Sequence, residues 1–421
     1  MRETPTLRVE NVHIQNVRCF EELRCDLHPE ATVFFGENGS GKTALIEALS
    51  VGLGALFCAM ENIKVTLMRA HDRRRVVHEI GGMPGLEKPT PVMIEIGALL
   101  DGAPASWRIG VRTRASVKGS AAGQWGKRAE RAVGRGAEIT LPVVAYYPAS
   151  RLWHRQGFRD DPDLASRLDA YDGCLSAPES FLDVTTWMRR LAYAARGGNG
   201  EAIPASLHQA GLALTVQTGV PEVVSFHYEI LSEEVHVKFH DGTTQPFNLL
   251  SDGFRITIGL IADLAWRAIL LNPHLGADAP RLVDGVVLID EIDLHLHPSW
   301  QRRILGDLRR AFPKVQFIVT THSPQVLASA KREWVRRISP TGVHAVGHVE
   351  GRDSNALLAE VFGDRERPAE TEERLVALFQ LIDQERMDEA ASLLTELERT
   401  LGFHDAQLVR ARWLLAGLGG A

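Results

Sequence analysis

The sequence predicts an α/β protein with a mixed sheet, an antiparallel β subdomain, a helical lobe and a helical C-terminal tail. Three observations predict it. A short apolar stretch, Ala31–Phe35, runs into a glycine-rich loop and then an apolar helix. A second apolar run, Val286–Ile289, ends on two carboxylates, and a third, Val315–Val319, ends on Thr-Thr-His-Ser-Pro. Short apolar runs bounded by turn or polar signals read as strands buried on both faces of a parallel sheet.

The elements follow in chain order. Residues 7–20 alternate as a half-buried strand does, with Leu7, Val9, Val12, Ile14 and Val17 on the apolar side. Thr43 to about Phe57 reads as a helix. Between 91 and 146, strand-like pieces surround a loop rich in glycine, alanine and arginine. Helical patterning covers 160–215, and 223–240 reads as a hairpin. From Leu249 to about Ser339 the order is helix, strand, helix, strand. The tail is helical, with apolar stripes over Glu372–Gln384, Met387–Leu401 and Asp405–Leu415. The expected domains are 1–150, 151–245, 246–350 and 351–421. No internal repeat or heptad run appears, and the interval from Thr43 to Leu249 is too irregular for a long antiparallel coiled coil.

Composition bounds the function. A chain of 421 residues can bury a large core. A formal charge of -6 does not suit a general polyanion binder. The cysteines, Cys19, Cys25, Cys58 and Cys174, form no CxxC pair and no zinc spacing, and read as reduced thiols. The N-terminus has no apolar signal core. No apolar run approaches the roughly 18–20 residues that cross a membrane. A cytoplasmic protein is expected; docking on a separate membrane protein is disfavoured by IDEIDLHLHP (289–298), which differs from the DEP-T/S pattern of transporter subunits.

The glycine-rich loop is Gly36, Glu37, Asn38, Gly39, Ser40, Gly41, Lys42, Thr43, which fits G-x-x-x-x-G-K-[ST]. Its glycines let the backbone wrap phosphates with no Cβ in the way. Loop N–H groups and the following helix N-terminus favour an anion. Lys42 would place a point charge on the β- and γ-phosphates of ATP, and the Thr43 hydroxyl would ligate Mg²⁺. A glycine-rich turn can match by chance, but here strand and helix both stand in register.

The second apolar strand delivers Asp290 and Glu291 to a C-terminal edge, where ligands of open α/β sheets bind. Asp290 would hold Mg²⁺, and Glu291 would polarise the attacking water as general base. The plainer alternative is a buried strand that merely ends in carboxylates. His295 and His297 lack a third nitrogen or sulfur ligand nearby, so they read as a subunit-contact loop rather than a metal site. His322 follows the third strand, where an imidazole can sense a γ-phosphate; otherwise it is a loop residue before the helix at Pro324.

Leu249–Arg255 reads LLSDGFR and opens an amphipathic helix. Ser251, Asp252 and Gly253 at a helix N-terminus would make an anion site, unless Ser251 or Asp252 merely caps the helix. One chain's phosphate loop needs no second anion site. The natural occupant is a γ-phosphate bound by a partner subunit, which predicts a homodimer or higher even oligomer.

The order of phosphate loop, serine-glycine signature, Asp-Glu strand and histidine resembles that of ABC-type, RecF-like P-loop ATPase heads. More narrowly the chain resembles the RecF-like and overcoming-lysogenization-defect-like ATPases, and most of all the PtuA-type ATPases of Septu and retron antiphage defence systems. The residues carrying this are GENGSGKT (36–43), VVAYYPASRLW (143–153), LLSDGFR (249–255), IADLAWRAILLNP (261–273), LIDEIDLHLHPSWQ (288–301), VTTHSPQVL (319–327) and the tail from GRDSNALLAEVFG (351–363) to MDEAASLLTELERTLG (387–402). The resemblance implies a separately encoded HNH nuclease partner of the PtuB kind, regulated by this ATPase, and in some systems a retron RNA–DNA complex; ATP hydrolysis is expected to be slow. Alternatives are a RecF-like repair ATPase clamping DNA and an ATP-locked assembly scaffold. The signature departs from LSGGQ, since Asp252 brings a carboxylate near a phosphate site. A glutamine-bearing loop after VVAYY is missing, with Tyr147 or Arg151 in its place. No carboxylate cluster of the Toprim kind and no H-N-H pattern occurs, so the chain alone is not expected to cut nucleic acid.

Residues 108–135 concentrate Arg108, Arg112, Arg114, Lys118, Lys127, Arg128, Arg131 and Arg135 against Glu130 alone, and Arg69, Arg73, Arg74 and Arg75 form a second cluster. The Arg108–Arg135 loop could contact DNA or the nuclease, with Trp107 and Trp125 stacking on bases. A solvated charged surface is the ordinary reading of such a run.

Overall fold

A computed structural model describes residues 6–61, 63–65, 68–80, 83–110, 114–152, 166–176, 184–196, 202–339, 341–357 and 367–418. The chain forms two compact units, Met1–Arg352 and Asp353–Ala421.

Unit 1 begins with strands β1 (Leu7–Val17), β2 (Phe20–Asp26) and β3 (Ala31–Phe35), then helix α1 (Lys42–Leu53). A ribbon of β4 (Val76–Ile80) and β5 (Met83–Glu87) precedes β6 (Met93–Leu100) and β7 (Ala103–Gly110). Helices α2 (Arg114–Gly119) and α3 (Ala121–Gly134) lead to β8 (Val143–Tyr147), α4 (Val184–Arg196) and α5 (Ala202–Gly219). A small sheet follows, β9 (Val223–Glu229), β10 (Glu234–Phe239) and β11 (Thr244–Pro246). The rest is α6 (Asp252–Leu271), α7 (Ala279–Leu282), β12 (Gly285–Ile289), α8 (Pro298–Gln301), α9 (Ile304–Ala311), β13 (Val315–Thr320), α10 (Pro324–Ser329), β14 (Val335–Ser339) and β15 (Gly342–Ala345).

The central sheet has the order β15-β14-β3-β13-β12-β8, parallel throughout except for β15. Every residue of β3, β8, β12 and β13 is buried, as a sheet covered on both faces requires. The antiparallel sheet β2-β1-β6-β7 buries alternate residues, the period-2 pattern seen at Met93–Leu100. Helix α1 lies between the two sheets, packed on β6 on one side and on β12 and β13 on the other. The fit is close: a Cβ at Gly52 would sit 2.8 Å from the Ile96 side chain. Trp107 Nε1 donates to Gly52 O at 2.8 Å from the antiparallel sheet.

Helix α6 is buried nearly all round from Ile256 to Leu271, not along one stripe, because α5 and β8 both pack on it. Of the segment 108–135, expected as a loop, residues 108–110 end β7 and 114–134 are almost wholly helical, in α2 and α3. Arg112 lies outside the described residues. Helix α3 buries Ala122, Trp125, Gly126 and Ala129 and exposes Lys127, Arg128, Arg131 and Arg135. Trp107 and Trp125 are core residues, 3% and 4% exposed, and cannot stack on bases.

Unit 2 holds α11 (Ser354–Leu357), α12 (Ala369–Asp383), α13 (Met387–Leu401) and α14 (Ala406–Leu418). The last three share a core of Leu375, Leu378, Ile382, Ala390, Leu394, Leu397, Leu408 and Ala411. The ion pairs Arg374–Glu396 and Arg412–Glu398 cross between its helices. Among the described residues no helix is long and apolar enough to cross a membrane.

Candidate functional site

Parallel strands carry their C-terminal ends to one edge. On that edge β3 delivers the loop 36–41, β12 delivers Asp290 and Glu291, and β13, between them, delivers Thr320–Ser323. The sequence had separated these groups by up to 280 residues or so; the sheet order makes them neighbours.

Gly41 adopts φ 100°, and a Cβ there would strike Cys19 and Phe20, so this position admits glycine alone. Helix α1 starts immediately after it. Lys42 is buried and its Nζ donates to Gly36 O at 2.9 Å and Glu37 O at 2.8 Å, bridging the loop it belongs to. Burial lowers its pKa, against the pull of Asp290, Glu291 and Asp293. Glu37 also faces Arg337 of β14 at 3.7 Å.

Asp290 is 2% exposed. Its Oδ2 accepts from Thr43 Oγ1 at 2.9 Å and its Oδ1 from Thr320 Oγ1 at 2.5 Å. A buried carboxylate beside a hydroxyl is a hard-oxygen donor pair, and this chemistry fits Mg²⁺. Glu291 takes φ 50°, left-handed for a residue with a side chain, and its N–H donates to Thr320 Oγ1 at 2.7 Å. Such strain costs on the order of 1–3 kcal/mol and persists only where the surroundings enforce it.

Sequence reasoning missed Thr320 and Asp293. Thr320 bridges Asp290 and Glu291. Asp293 Oδ1 accepts from Thr321 Oγ1 at 2.5 Å and from His322 N at 3.4 Å, fixing the segment that carries His322. The doubled threonine before His322 was the available signal. Burial first, then the Lys42 charge, lowers the His322 pKa, against the pull of Asp293, Glu291 and Asp290.

Ser251 stands at the N-cap position of α6, yet its side chain makes no capping bond and is exposed. The capping alternative therefore fails for Ser251. Asp252 pairs with Arg255 at 2.5 Å, which compensates the unexpected carboxylate. A Cβ at Gly253 would lie 3.2 Å from His295 O, so the start of α6 abuts the loop that follows Glu291. His295 is exposed, whereas His297 caps α8, its ring accepting from Ser299 N at 3.3 Å. Among the described residues no His/Cys/Asp/Glu group has metal-site geometry. Tyr147 does not line the site. It is fully buried and its hydroxyl turns to Asp263.

Sheet order, phosphate loop and edge define a P-loop ATPase head with a mixed sheet and an antiparallel β sheet, and the chain adds a helical C-terminal unit. A profile described as "AAA domain, putative AbiEii toxin, Type IV TA system" matches residues 174–328, and one described as "AAA domain" matches 11–74. The chain is 26% identical to "Retron Ec83 probable ATPase" of Escherichia coli, covering 86% of this chain and 78% of that one. It is 25% identical to "Retron Vc95 probable ATPase" of Vibrio cholerae, over 79% and 74% of the two chains. To "Septu protein PtuA" of Bacillus mycoides it is 44% identical over 92 residues, 22% of this chain and 12% of that one. A Pyrococcus furiosus Smc head domain superposes at TM-score 0.44 with 13% identity, covering 81% of this chain and 96% of that one. The resemblance to RecF/OLD-like ATPases of defence systems is thus borne out: the chain is similar to retron ATPases over most of its length and to Septu PtuA over a shorter stretch, and its ATPase-domain matches support ATPase activity.

Proposed function

We propose that this ATPase holds ATP and Mg²⁺ between two copies of itself and so regulates a partner HNH nuclease in antiphage defence, in the cytoplasm. The observation that carries the reading is the likeness to retron ATPases through 86% and 79% of the chain. The site supports it. Loop N–H groups and Lys42 would hold the phosphates. Thr43 and Asp290 would hold Mg²⁺, which would supply charge compensation at the β- and γ-phosphates. Glu291 would accept the proton of the attacking water, and His322 would report whether the γ-phosphate is present. Ser251, exposed and without a capping bond, and Gly253 would face the partner copy's nucleotide. Turnover is slow in this reading, so that the ATP-bound dimer persists long enough to act as a state.

The test is to purify the chain with the product of its flanking gene and assay plasmid cleavage with ATP, with ADP and without nucleotide. Cleavage that changes with nucleotide, and is locked in its ATP state by Glu291→Gln, is the expected result. Cleavage indifferent to nucleotide in all conditions refutes the regulation.

A further inference from the structure

Tyr147, the last residue of β8, faces two ways. Its main-chain oxygen accepts from Asp290 N at 2.9 Å, at the edge that carries the site. Its side chain enters the core, where the hydroxyl donates to Asp263 Oδ2 at 2.5 Å. The same carboxylate oxygen accepts from Arg267 Nε at 3.0 Å, and Arg267 Nη1 donates to Ala170 O at 2.5 Å. Asp263 and Arg267 are one turn apart on α6 and are 0% and 1% exposed. Burial holds the Tyr147 phenol protonated, as a donor. Helix α6 begins one residue after Ser251.

A buried ion pair is a poor source of stability. Apolar side chains of the same volume commonly serve as well or better. What a hydrogen-bonded cluster adds is direction: it fixes one axial register of the helix, where apolar packing tolerates sliding. The bonds also run on. From Tyr147 they pass through its main chain to Asp290, and from Asp290 to Thr43 in the phosphate loop.

We propose that Tyr147, Asp263 and Arg267 are positioning residues that tie the Asp290 edge of a subunit's own nucleotide site to α6, and through α6 set the place of Ser251 at the partner's nucleotide. This rests on the shared-site reading above. None of the three would touch nucleotide, so their effect should appear in turnover and not in binding.

The experiment uses the full chain and four variants. Tyr147→Phe removes one oxygen and leaves the Asp263–Arg267 pair intact, so it should fold. Affinity for a fluorescent ATP analogue should stay within about twofold, while kcat falls about tenfold, the scale of one hydrogen bond to a charged group. The double variant Tyr147→Phe/Ser251→Ala should be no slower than Ser251→Ala alone, because both losses act through one element. Losses that multiply, or a Tyr147→Phe enzyme with wild-type kcat, overturn the proposal. Ser251→Ala with wild-type turnover overturns the shared site, and this role of the cluster with it. Ser251→Ala impaired beside an unimpaired Tyr147→Phe overturns the cluster alone. The fourth variant, Tyr147→Phe/Asp263→Leu/Arg267→Met, replaces the cluster with apolar groups. If it folds and turns over like wild type, the cluster is packing only; if it does not fold, the Tyr147→Phe comparison decides.

Discussion

Thr43 Oγ1 donates a hydrogen bond to Asp290 Oδ2 at 2.9 Å, joining residues 247 positions apart. One stands in the first turn of α1, which the loop after β3 leads into, and the other follows the end of β12, and β13 lies between the two strands. Thr320, from that middle strand, grips the other oxygen of the same carboxylate. The three strand ends are therefore clamped on a single acid.

That clamp bears on metal binding. With Asp290→Asn the Thr43 and Thr320 bonds can survive, but the charge that would hold Mg²⁺ is gone. ATP affinity measured in EDTA should be little changed. The gain on adding Mg²⁺ should shrink about tenfold or more, consistent with loss of a charged ligand. A normal Mg²⁺ response would remove Asp290 from the metal assignment.

Lys42→Ala and Glu291→Gln separate binding from chemistry. The first removes the only loop side chain that can meet the phosphates with positive charge, and nucleotide binding should be lost. The second keeps shape and backbone while removing the base. It should bind ATP normally and hydrolyse it about 10²–10⁴ times more slowly, the usual worth of a general base. Near-normal single-turnover hydrolysis by Glu291→Gln would sink the base assignment.

What was legible in the sequence was local. The phosphate loop, the Asp290–Glu291 strand end and His322 each sit in a short segment whose neighbours announce a strand or helix. What escaped depends on side-chain direction or tertiary fit. Tyr147 read as a stand-in for a missing glutamine at the site, but at the end of β8 its side chain turns into the core, which its position next to that edge did not disclose. Thr320 is marked only by the doubled threonine before His322, which does not disclose that its hydroxyl will bridge Asp290 and Glu291. Helix α3 read as a loop because glycine lowers helix propensity. Gly126 is there because the backbone of Leu56 passes where its Cβ would be.

The outer face of α3 gives a test of partner contact. Lys127, Arg128 and Arg131 are exposed, and replacing all three with Glu keeps the buried Ala122, Trp125 and Ala129 side chains, although it breaks the exposed pair of Arg128 with Asp101, which also accepts from Trp125 Nε1. ATP hydrolysis should be unchanged. Binding to DNA or to the nuclease should weaken, and a DNA complex should lose about 0.7–0.9 of slope in log K against log salt for each phosphate contact removed. An unchanged salt slope would return this face to solvent.

Asp284, just before β12, accepts from Thr6 N at 2.5 Å while its other oxygen is buried without a partner. Burial pushes its carboxyl up to about 6. A folded-state pKa above the unfolded value stabilises the protein most at low pH, and that contribution is lost as pH rises through about 6. Asp284→Asn keeps an acceptor for Thr6 and never ionises. Its melting temperature should exceed wild type at pH 8 by roughly 1–2 °C, and the gain should shrink at pH 4.5 and vanish only below about 4. A gain of equal size at both pH values would mean that ionisation is not the cause.

The composite site is the assumption on which the mechanism turns. Within one chain, Gly253, two residues after the exposed Ser251, abuts its own His295 loop, and the phosphate loop lies between β3 and α1. In a two-copy arrangement Lys42 and Glu291 of one subunit would meet Ser251 and Gly253 of the other, so ATP would hold the interface and hydrolysis would release it. Lys42→Ala fails at the phosphates and Ser251→Arg fails at the signature, so each homodimer should be inactive. Mixing them produces heterodimers in which one site is doubly broken and the other is whole. If subunits exchange freely, about half the chains sit in heterodimers, each with one intact site of two, and activity should recover to roughly a quarter of wild type when sites fire independently. Native mass spectrometry of the mixture would verify exchange. Exchange without recovery would leave a site confined to one chain or a pair of sites that must fire together. A structure with ATP bound and Ser251 far from every γ-phosphate would decide for the first.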